Sequence, residues 1–310
     1  MTQGDNRSNL WSQVAPSMSD AAVQLESFRR PGGPNSRLAH WDPSERSLRW
    51  FKSYLQVAAQ GISARERELL DGISKADIGD PVLVTVVAQV GGAADIEVNL
   101  DYLYAAEEVA FIEDAMGLGD VSSVCELGAG FGRTAHTILS TMPSVQVYSI
   151  IDLEETMALS SAYLRAVLSD ELWAKVHFVN AADHASYPTD CDLFIQIDGF
   201  QEMDQETIDW YFQSLVDKSR AFYCCNPVGK YEPHVAGVEG VNPEGLEAAL
   251  KLGRSRSVVD PWNEASLRAV RPEHVRAYCP TGWHAVKASP SRLRAYYHHV
   301  LYQRPLAKIS

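Results

Sequence analysis

A glycine-rich turn stands between a predicted strand and a predicted helix, and it is the segment best suited to bind a ligand. It spans residues 126–132 and has the sequence E-L-G-A-G-F-G. Glycines let the chain bend steeply and let a ligand come close to the backbone. The free N–H groups of the following helix favour a negative or polar ligand group. We therefore expect Gly128, Ala129, Gly130 and Gly132 to contact a ligand.

Two details of this turn indicate which ligand it takes. A dinucleotide-binding turn has the pattern G-x-G-x-x-G, but here the third glycine comes one residue early and Arg133 stands in its place. The strand also ends in an acid, Glu126, which suits a cationic ligand better than a pyrophosphate. S-adenosylmethionine carries an ammonium and a sulfonium, whereas NAD carries two phosphates. The turn therefore predicts S-adenosylmethionine as the cofactor.

Two more acids follow the next two predicted strands. Asp152 comes 20 residues after Gly132, at the end of a strand. An acid at that separation can accept both ribose hydroxyls of a nucleoside. Asp183 comes just after the third strand and is the next candidate, although an acid in this position is often only a helix cap or turn residue.

The fourth predicted strand ends at Asp198, close to Gln201 and Glu202. Ligands of a doubly wound sheet lie beyond the carboxyl ends of its strands, so these side chains should face the reacting group. Asp198 and Glu202 are candidate general bases, and Gln201 is suited to orient sugar hydroxyls. Alternatively, Glu202 stabilises the start of the following helix through the helix dipole, and Gln201 satisfies backbone groups.

Three further residues are weaker candidates. His234 and Tyr231 lie in the loop after the fifth predicted strand, where His234 would be a base tuned near neutral pH and Tyr231 would contact the acceptor. A surface histidine is the simpler alternative. Tyr104, on the helix before the glycine turn, could close over the methionine carboxylate or belong to the core. No third ligand accompanies Asp198 and Glu202 at metal-binding spacing, so we expect no metal.

Alternating short apolar runs and helical patterns position these residues. From residue 121 onward, five predicted strands alternate with helices, which indicates an α/β, Rossmann-like, doubly wound and mostly parallel sheet. Two final strands, at 283–288 and 294–302, should close it as an antiparallel hairpin. The preceding sequence predicts helices at 44–75 and 100–116, and leaves 82–87 open between strand and helix. We expect a helical N-terminal extension, 1–115, forming a cap or homodimer surface, and a catalytic domain, 116–310.

Composition excludes several functional classes. The 310 residues carry a net charge of −13, so nucleic acid is not an expected partner. No apolar run approaches the ~20 residues of a membrane helix, and residues 1–9 lack the apolar core of a signal peptide. Five cysteines without a CxxC pair indicate a reduced, cytoplasmic protein.

Several segments resemble one group of enzymes, the S-adenosylmethionine-dependent sugar O-methyltransferases of bacterial glycan and natural-product biosynthesis. The matching stretches are 125–132, 150–155, 197–203 and 208–212, and the resemblance extends over about 75–230. The sequence departs from the group at Asp198-Gly199, where a turn containing Asn or Ser is favoured. The resemblance places Asp183 beside the adenine and Leu153 beside the cofactor.

The resemblance implies methyl transfer to an oxygen of a small molecule, most specifically a sugar hydroxyl of a glycan precursor or glycosylated metabolite. Three alternatives stay open. The acceptor atom is a nitrogen or carbon of a natural product; the protein binds an adenosyl ligand without turnover; or it is a nucleotide-dependent oxidoreductase. Glu126 and Asp152 speak against the second alternative, and Arg133 speaks against the third.

Overall fold

The computed structural model describes residues 24–30, 48–86, 95–117, 119–232 and 243–305. The helices are α1 (Leu48–Gln60), α2 (Ala64–Asp71), α3 (Leu100–Met116), α4 (Arg133–Thr141), α5 (Glu154–Val167), α6 (Asp170–Trp173), α7 (Gln205–Ser214), α8 (Pro243–Ala249) and α9 (Glu264–Ala277). The strands are β1 (Val84–Val86), β2 (Ile96–Val98), β3 (Ser123–Leu127), β4 (Val147–Asp152), β5 (Val176–Asn180), β6 (Cys191–Ile197), β7 (Ser219–Pro227), β8 (Lys230–Tyr231), β9 (Val258–Val259), β10 (His284–Pro290) and β11 (Tyr297–Gln303).

Within these residues, seven strands form one sheet in the order β10-β11-β7-β6-β3-β4-β5. The strands from β7 to β5 are parallel, whereas β11 runs antiparallel to β7 and to β10. This is a doubly wound, Rossmann-like sheet with an antiparallel strand near its end. The predicted fold class is confirmed, including the closing hairpin.

The central strands are apolar on both faces because each face packs against a separate layer of helices. Successive residues alternate between two core clusters: Val124 and Ile150 belong to one, and Cys125 and Ile151 to the other. Full burial of a side chain of this kind stabilises the fold by about 1.5–3 kcal/mol. The sheet is therefore a rigid platform, and the loops at its carboxyl edge carry the polar side chains.

Helix α3 positions one wall of that edge. Its N-cap residue, Asn99, accepts a hydrogen bond from the N–H of Tyr102, and the helix ends at Gly117, which has a φ of 67°. Most of its side chains are buried, because α3 lies between the sheet and the helices α1 and α2. Since α3 and β3 run in opposite directions, the first turns of α3 lie near the glycine turn.

Other details refine the sequence predictions. The helix predicted over 44–75 is two helices in the described residues, and Ser63 and Glu66 form a capping box at the start of α2. The open segment 82–87 contains the strand β1, which pairs with β2. The last predicted strand begins at Tyr297, three residues later than expected, because residues 294–296 form a turn.

Candidate active site

The glycine turn has the backbone that its sequence predicts. Gly128, Gly130 and Gly132 have φ angles of 75°, 61° and 99°, a region that residues with a side chain rarely adopt. The N–H of Gly128 donates to the carbonyl of Ile151, and the N–H of Gly132 donates to that of Ala129, both at 2.9 Å. The turn is thus fixed to β4 and leads directly into α4.

Two of these glycines have different functions in the structure. A Cβ atom added at Gly128 meets no atom within 4 Å, so the space beside this residue is open. A Cβ atom added at Gly132 would lie 2.9 Å from Cγ of Leu164, on α5. Gly132 is therefore required for helix packing, whereas Gly128 borders space that a ligand can enter. The contacts predicted for Ala129, Gly130 and Gly132 with a cofactor stay predictions.

Asp152 ends β4 directly beside the turn. Its carboxylate accepts hydrogen bonds from the backbone N–H groups of Leu153, Ala129 and Gly130. Burial raises the pKa of Asp152 to about 6, although these hydrogen bonds and one from Thr156 act in the opposite direction. The carboxylate thus holds the glycine turn in place, and its predicted contact with ribose stays a prediction.

Glu126 lies on β3, immediately before the turn, and only 2% of it is exposed. Its Oε2 accepts a hydrogen bond of 2.8 Å from the hydroxyl of Tyr148. Burial raises the pKa of Glu126 to about 7, while this hydrogen bond and the positive charge of Arg133 lower it. The carboxyl group can therefore change its charge near neutral pH.

This titration gives a testable pH dependence. Only the ionised carboxylate attracts an ammonium group, and Glu126 is protonated below pH 7. We expect the affinity for S-adenosylhomocysteine, measured by calorimetry, to fall by about tenfold for each pH unit below 7. The Glu126→Gln variant should bind S-adenosylhomocysteine weakly, and its affinity should no longer fall below pH 7. If Glu126→Gln keeps the wild-type pH profile, a different group, such as Asp152, governs it.

Asp198 is placed by a strained turn at the carboxyl end of β6. Its φ of 67° and ψ of −41° are unusual for a residue with a side chain. The turn is held by hydrogen bonds from the N–H of Asp198 to the carbonyl of Cys225 (2.9 Å) and from the N–H of Gln201 to the carbonyl of Asp198 (3.1 Å). Strain of this kind is typical of functional sites, where the surrounding structure fixes one orientation.

Two residues at or just before the start of β11 interact with the carboxylate of Asp198. Tyr297, the first residue of β11, donates a hydrogen bond to this carboxylate, and Arg294 is the positive charge that lowers its pKa most. Burial raises the pKa of Asp198, and Arg294 and Tyr297 oppose this rise. A partly buried carboxylate with a raised pKa can accept a proton from an acceptor hydroxyl.

Arg294 lies between two aromatic rings. Its guanidinium carbon is 4.1 Å from the ring centroid of Tyr104 and 3.7 Å from that of Tyr297. Tyr104 is therefore at the wall of the site, although its predicted cofactor contact stays a prediction. Arg294 and Tyr297 were not predicted from the sequence. Their signal was topological: an antiparallel last strand must begin at the edge where the parallel strands end.

Arg133, which stands where a dinucleotide-binding turn has its third glycine, forms a buried ion pair. It makes two hydrogen bonds of 2.6 and 2.9 Å to the carboxylate of Glu108, on α3. The guanidinium group of Arg294 lies 3.5 Å from the same carboxylate, and all three side chains are buried. A buried carboxylate between two guanidinium groups fixes the start of α4 against α3. The glycine turn is thus supported by an ion-pair network as well as by its own hydrogen bonds.

Gln201 is hydrogen-bonded within the protein, and its predicted contact with sugar hydroxyls stays a prediction. Its Nε2 donates to the carbonyl of Pro227 (2.6 Å), and its Oε1 accepts from the Nζ of Lys230 (2.9 Å). Because both ends of the amide are engaged within the protein, the structure favours its alternative role of satisfying backbone groups. Burial lowers the pKa of Lys230 to about 8, while the charges of Glu202 and Asp198 raise it.

Four predicted site residues remain, Glu202, Tyr231, Asp183 and His234, and their surroundings differ. Glu202 is half-buried at the end of the turn that begins at Asp198, and Tyr231 packs its ring against Tyr296 with 5.5 Å between centroids. Asp183 is exposed and accepts a hydrogen bond of 2.6 Å from Ser186, as expected for a turn residue. His234 lies outside the described residues. The predicted functions of these residues stay predictions.

The described part of the chain contains neither a cluster of metal ligands nor a helix that could span a membrane. No three His, Cys, Asp or Glu side chains come together there in a way that could hold a metal ion. No helix in the same residues combines the length and the apolar character that a membrane span requires.

Comparisons with known proteins give similarity to solved structures only. The chain matches no protein-family model and no curated protein. The pyocyanin biosynthetic protein PhzM is 13% identical with a TM-score of 0.46, and the mitomycin 7-O-methyltransferase MmcR is 11% identical with a TM-score of 0.43; each match covers 66% of this chain and 57% of the other. Magnesium protoporphyrin IX methyltransferase (ChlM) from Synechocystis PCC 6803, with bound SAH, is 14% identical with a TM-score of 0.42, over 84% of this chain and 100% of the other.

Proposed function

We propose that this protein is an S-adenosylmethionine-dependent methyltransferase that acts on an oxygen of a small molecule. The observation that carries the proposal is the open space beside Gly128, which lies between two carboxylates on neighbouring strand ends, Asp152 on one side and Asp198 on the other. An adenosyl ligand fits this donor set: Asp152 suits ribose hydroxyls, Glu126 suits the ammonium group, and Gly128 leaves room for the ligand at the backbone.

S-adenosylmethionine would supply a methyl group bound to a positively charged sulfur, which needs no further activation. The protein has to hold the acceptor oxygen in line with that methyl group. It also has to take up the proton that the acceptor hydroxyl loses. Asp198 is suited to hold the proton, because burial raises its pKa and Tyr297 orients it. Such help from a base is worth about 10²–10⁴ in rate.

We further propose a sugar hydroxyl as the acceptor group. Tyr231, Tyr296 and Tyr297 form an aromatic cluster near Asp198, in which the rings meet edge to face with 5.5 and 5.2 Å between adjacent centroids. Aromatic surfaces suit the apolar faces of sugar rings, and carboxylates accept hydrogen bonds from sugar hydroxyls. These observations support a glycosylated acceptor, as does the resemblance of residues 75–230 to sugar O-methyltransferases.

Two measurements test the proposal in sequence. Calorimetry with S-adenosylhomocysteine should detect stoichiometric binding to the wild-type protein, and NAD should not bind. A panel of sugars, glycosylated metabolites, amines and phenols, followed by mass spectrometry, should then show methyl addition to a sugar. Lack of binding would refute the methyltransferase assignment; binding with turnover of amines alone would refute the oxygen acceptor.

A further inference from the structure

A short segment of the N-terminal region, residues 24–30, is inserted into the body of the protein. Phe28 is 1% exposed and Arg29 is 3% exposed. The N–H of Arg29 donates to the carbonyl of Gly79 at 2.8 Å, and a Cβ atom at Gly79 would lie 2.5 Å from the ring of Phe28. The segment thus occupies a slot that a glycine at position 79 makes possible.

Phe28 contacts the glycine turn through the ring of Phe131. Its ring lies 5.3 Å from that of Phe131 and 5.6 Å from that of Tyr163, both edge to face. Phe131 is the residue between Gly130 and Gly132 and carries the only large side chain in the stretch from Gly128 to Gly132. Its ring also meets that of Tyr163 at 4.9 Å. Phe131 is therefore clamped between the segment and α5.

Arg29 fixes the same region electrostatically. Its Nε lies 3.0 Å from Oδ2 of Asp101, in the first turn of α3, and its Nη1 donates to the carbonyls of Ala76 (2.8 Å) and Ile78 (2.9 Å). The guanidinium group also lies 5.1 Å from the ring centroid of Phe131. A guanidinium group that is buried and paired in this way holds its segment in one position.

We propose that residues 24–30 are part of the cofactor site, with Phe28 and Arg29 as positioning residues that hold the glycine turn through Phe131. The inference rests on the proposed function. Three glycines give the turn many accessible conformations, and ordering them costs conformational entropy on ligand binding. The clamp on Phe131 selects the conformation that leaves Gly128 open. Cofactor binding and docking of the segment are therefore coupled, and the coupling acts in both directions.

The test measures both directions in the full-length protein. Phe28→Ala should weaken binding of S-adenosylhomocysteine by about tenfold. Phe28→Leu, which keeps an apolar side chain in the slot, should restore most of the affinity. Phe111→Ala is the matched control, since Phe111 is a similarly buried phenylalanine that contacts Tyr223 and His299 and not the turn. Its affinity should stay within about twofold of the wild type.

In the reciprocal measurement, hydrogen exchange follows the amides of residues 27, 29 and 30, which are hydrogen-bonded. S-adenosylhomocysteine should slow their exchange in the wild-type protein by about the same factor by which Phe28→Ala weakens binding. This measurement also decides the matter if Phe28→Ala does not fold. Equal affinities of Phe28→Ala and Phe111→Ala for S-adenosylhomocysteine would overturn the inference but not the proposed function. The same holds if S-adenosylhomocysteine binds and leaves the hydrogen exchange of these amides unchanged. No binding to the wild-type protein would overturn the proposed function and the inference with it.

Discussion

Replacement of Asp198 by asparagine should lower kcat by about 10²–10⁴, with little effect on folding or on affinity for S-adenosylhomocysteine. Asparagine has nearly the same shape as aspartate and is, like aspartate, tolerated at a positive φ, so the strained turn persists. It still accepts the hydrogen bond from Tyr297 but cannot take up a proton. Initial rates with an acceptor that the wild-type protein methylates, together with calorimetry, measure both effects.

The matched control is Asp114→Asn, on the last turn of α3. Asp114 is paired with Lys287 at the opposite end of the helix from the site, so its replacement should leave kcat within about twofold of the wild type. In the wild-type protein, kcat/KM should fall as the pH drops through the raised pKa of Asp198, because the protonated carboxyl cannot act as a base. If Asp198→Asn retains wild-type turnover, Glu202 or another group serves as the base.

Replacement of Gly128 by alanine should weaken binding of S-adenosylhomocysteine by about tenfold or more, which corresponds to about 1.4 kcal/mol. The added methyl group meets no protein atom within 4 Å, so it projects into space proposed for the ligand. The positive φ of 75° adds a folding cost of about 1–2 kcal/mol, since alanine disfavours this conformation. Calorimetry measures the affinity and thermal denaturation measures the folding cost.

Gly282→Ala separates these two effects. Gly282 has a similar φ of 80° and also has no atom within 4 Å of an added Cβ, but it precedes β10 at the opposite edge of the sheet. The two variants should lose similar stability, whereas only Gly128→Ala should lose affinity. Gly132→Ala should instead lose more stability than either, because its methyl group would collide with Leu164. Equal affinity of Gly128→Ala and Gly282→Ala would place the ligand elsewhere.

Local sequence signals predicted the part of the site that lies on the chain between Glu126 and Asp198. Turn glycines with positive φ, and acids at the ends of buried strands, are properties of a few consecutive residues. The strand ends at Leu127, Asp152 and Ile197 could be assigned because their apolar runs stop there. The parallel order of the sheet then brought these ends to one edge, as predicted.

Residue type alone did not show which polar side chains are available to contact a ligand. Gln201 has the chemistry of a sugar ligand, but its amide is engaged by Pro227 and Lys230. The hydroxyl of Tyr102, two residues before Tyr104 on α3, is bonded to His136 and Tyr163 inside the core. Engagement of a polar group depends on neighbours that are distant in sequence, which no local pattern reveals.

The amino-acid sequence by itself determined the order of strands and helices, the bend at Gly128 and the acids beside it, because backbone preferences and apolar periodicity act over short distances. The tertiary structure alone decided that Arg294 and Tyr297 face Asp198, and that Phe28 and Arg29 pack against Phe131 of the turn. These contacts join residues far apart in the chain. They form only when an antiparallel strand and a buried N-terminal segment pack against the same edge of the sheet.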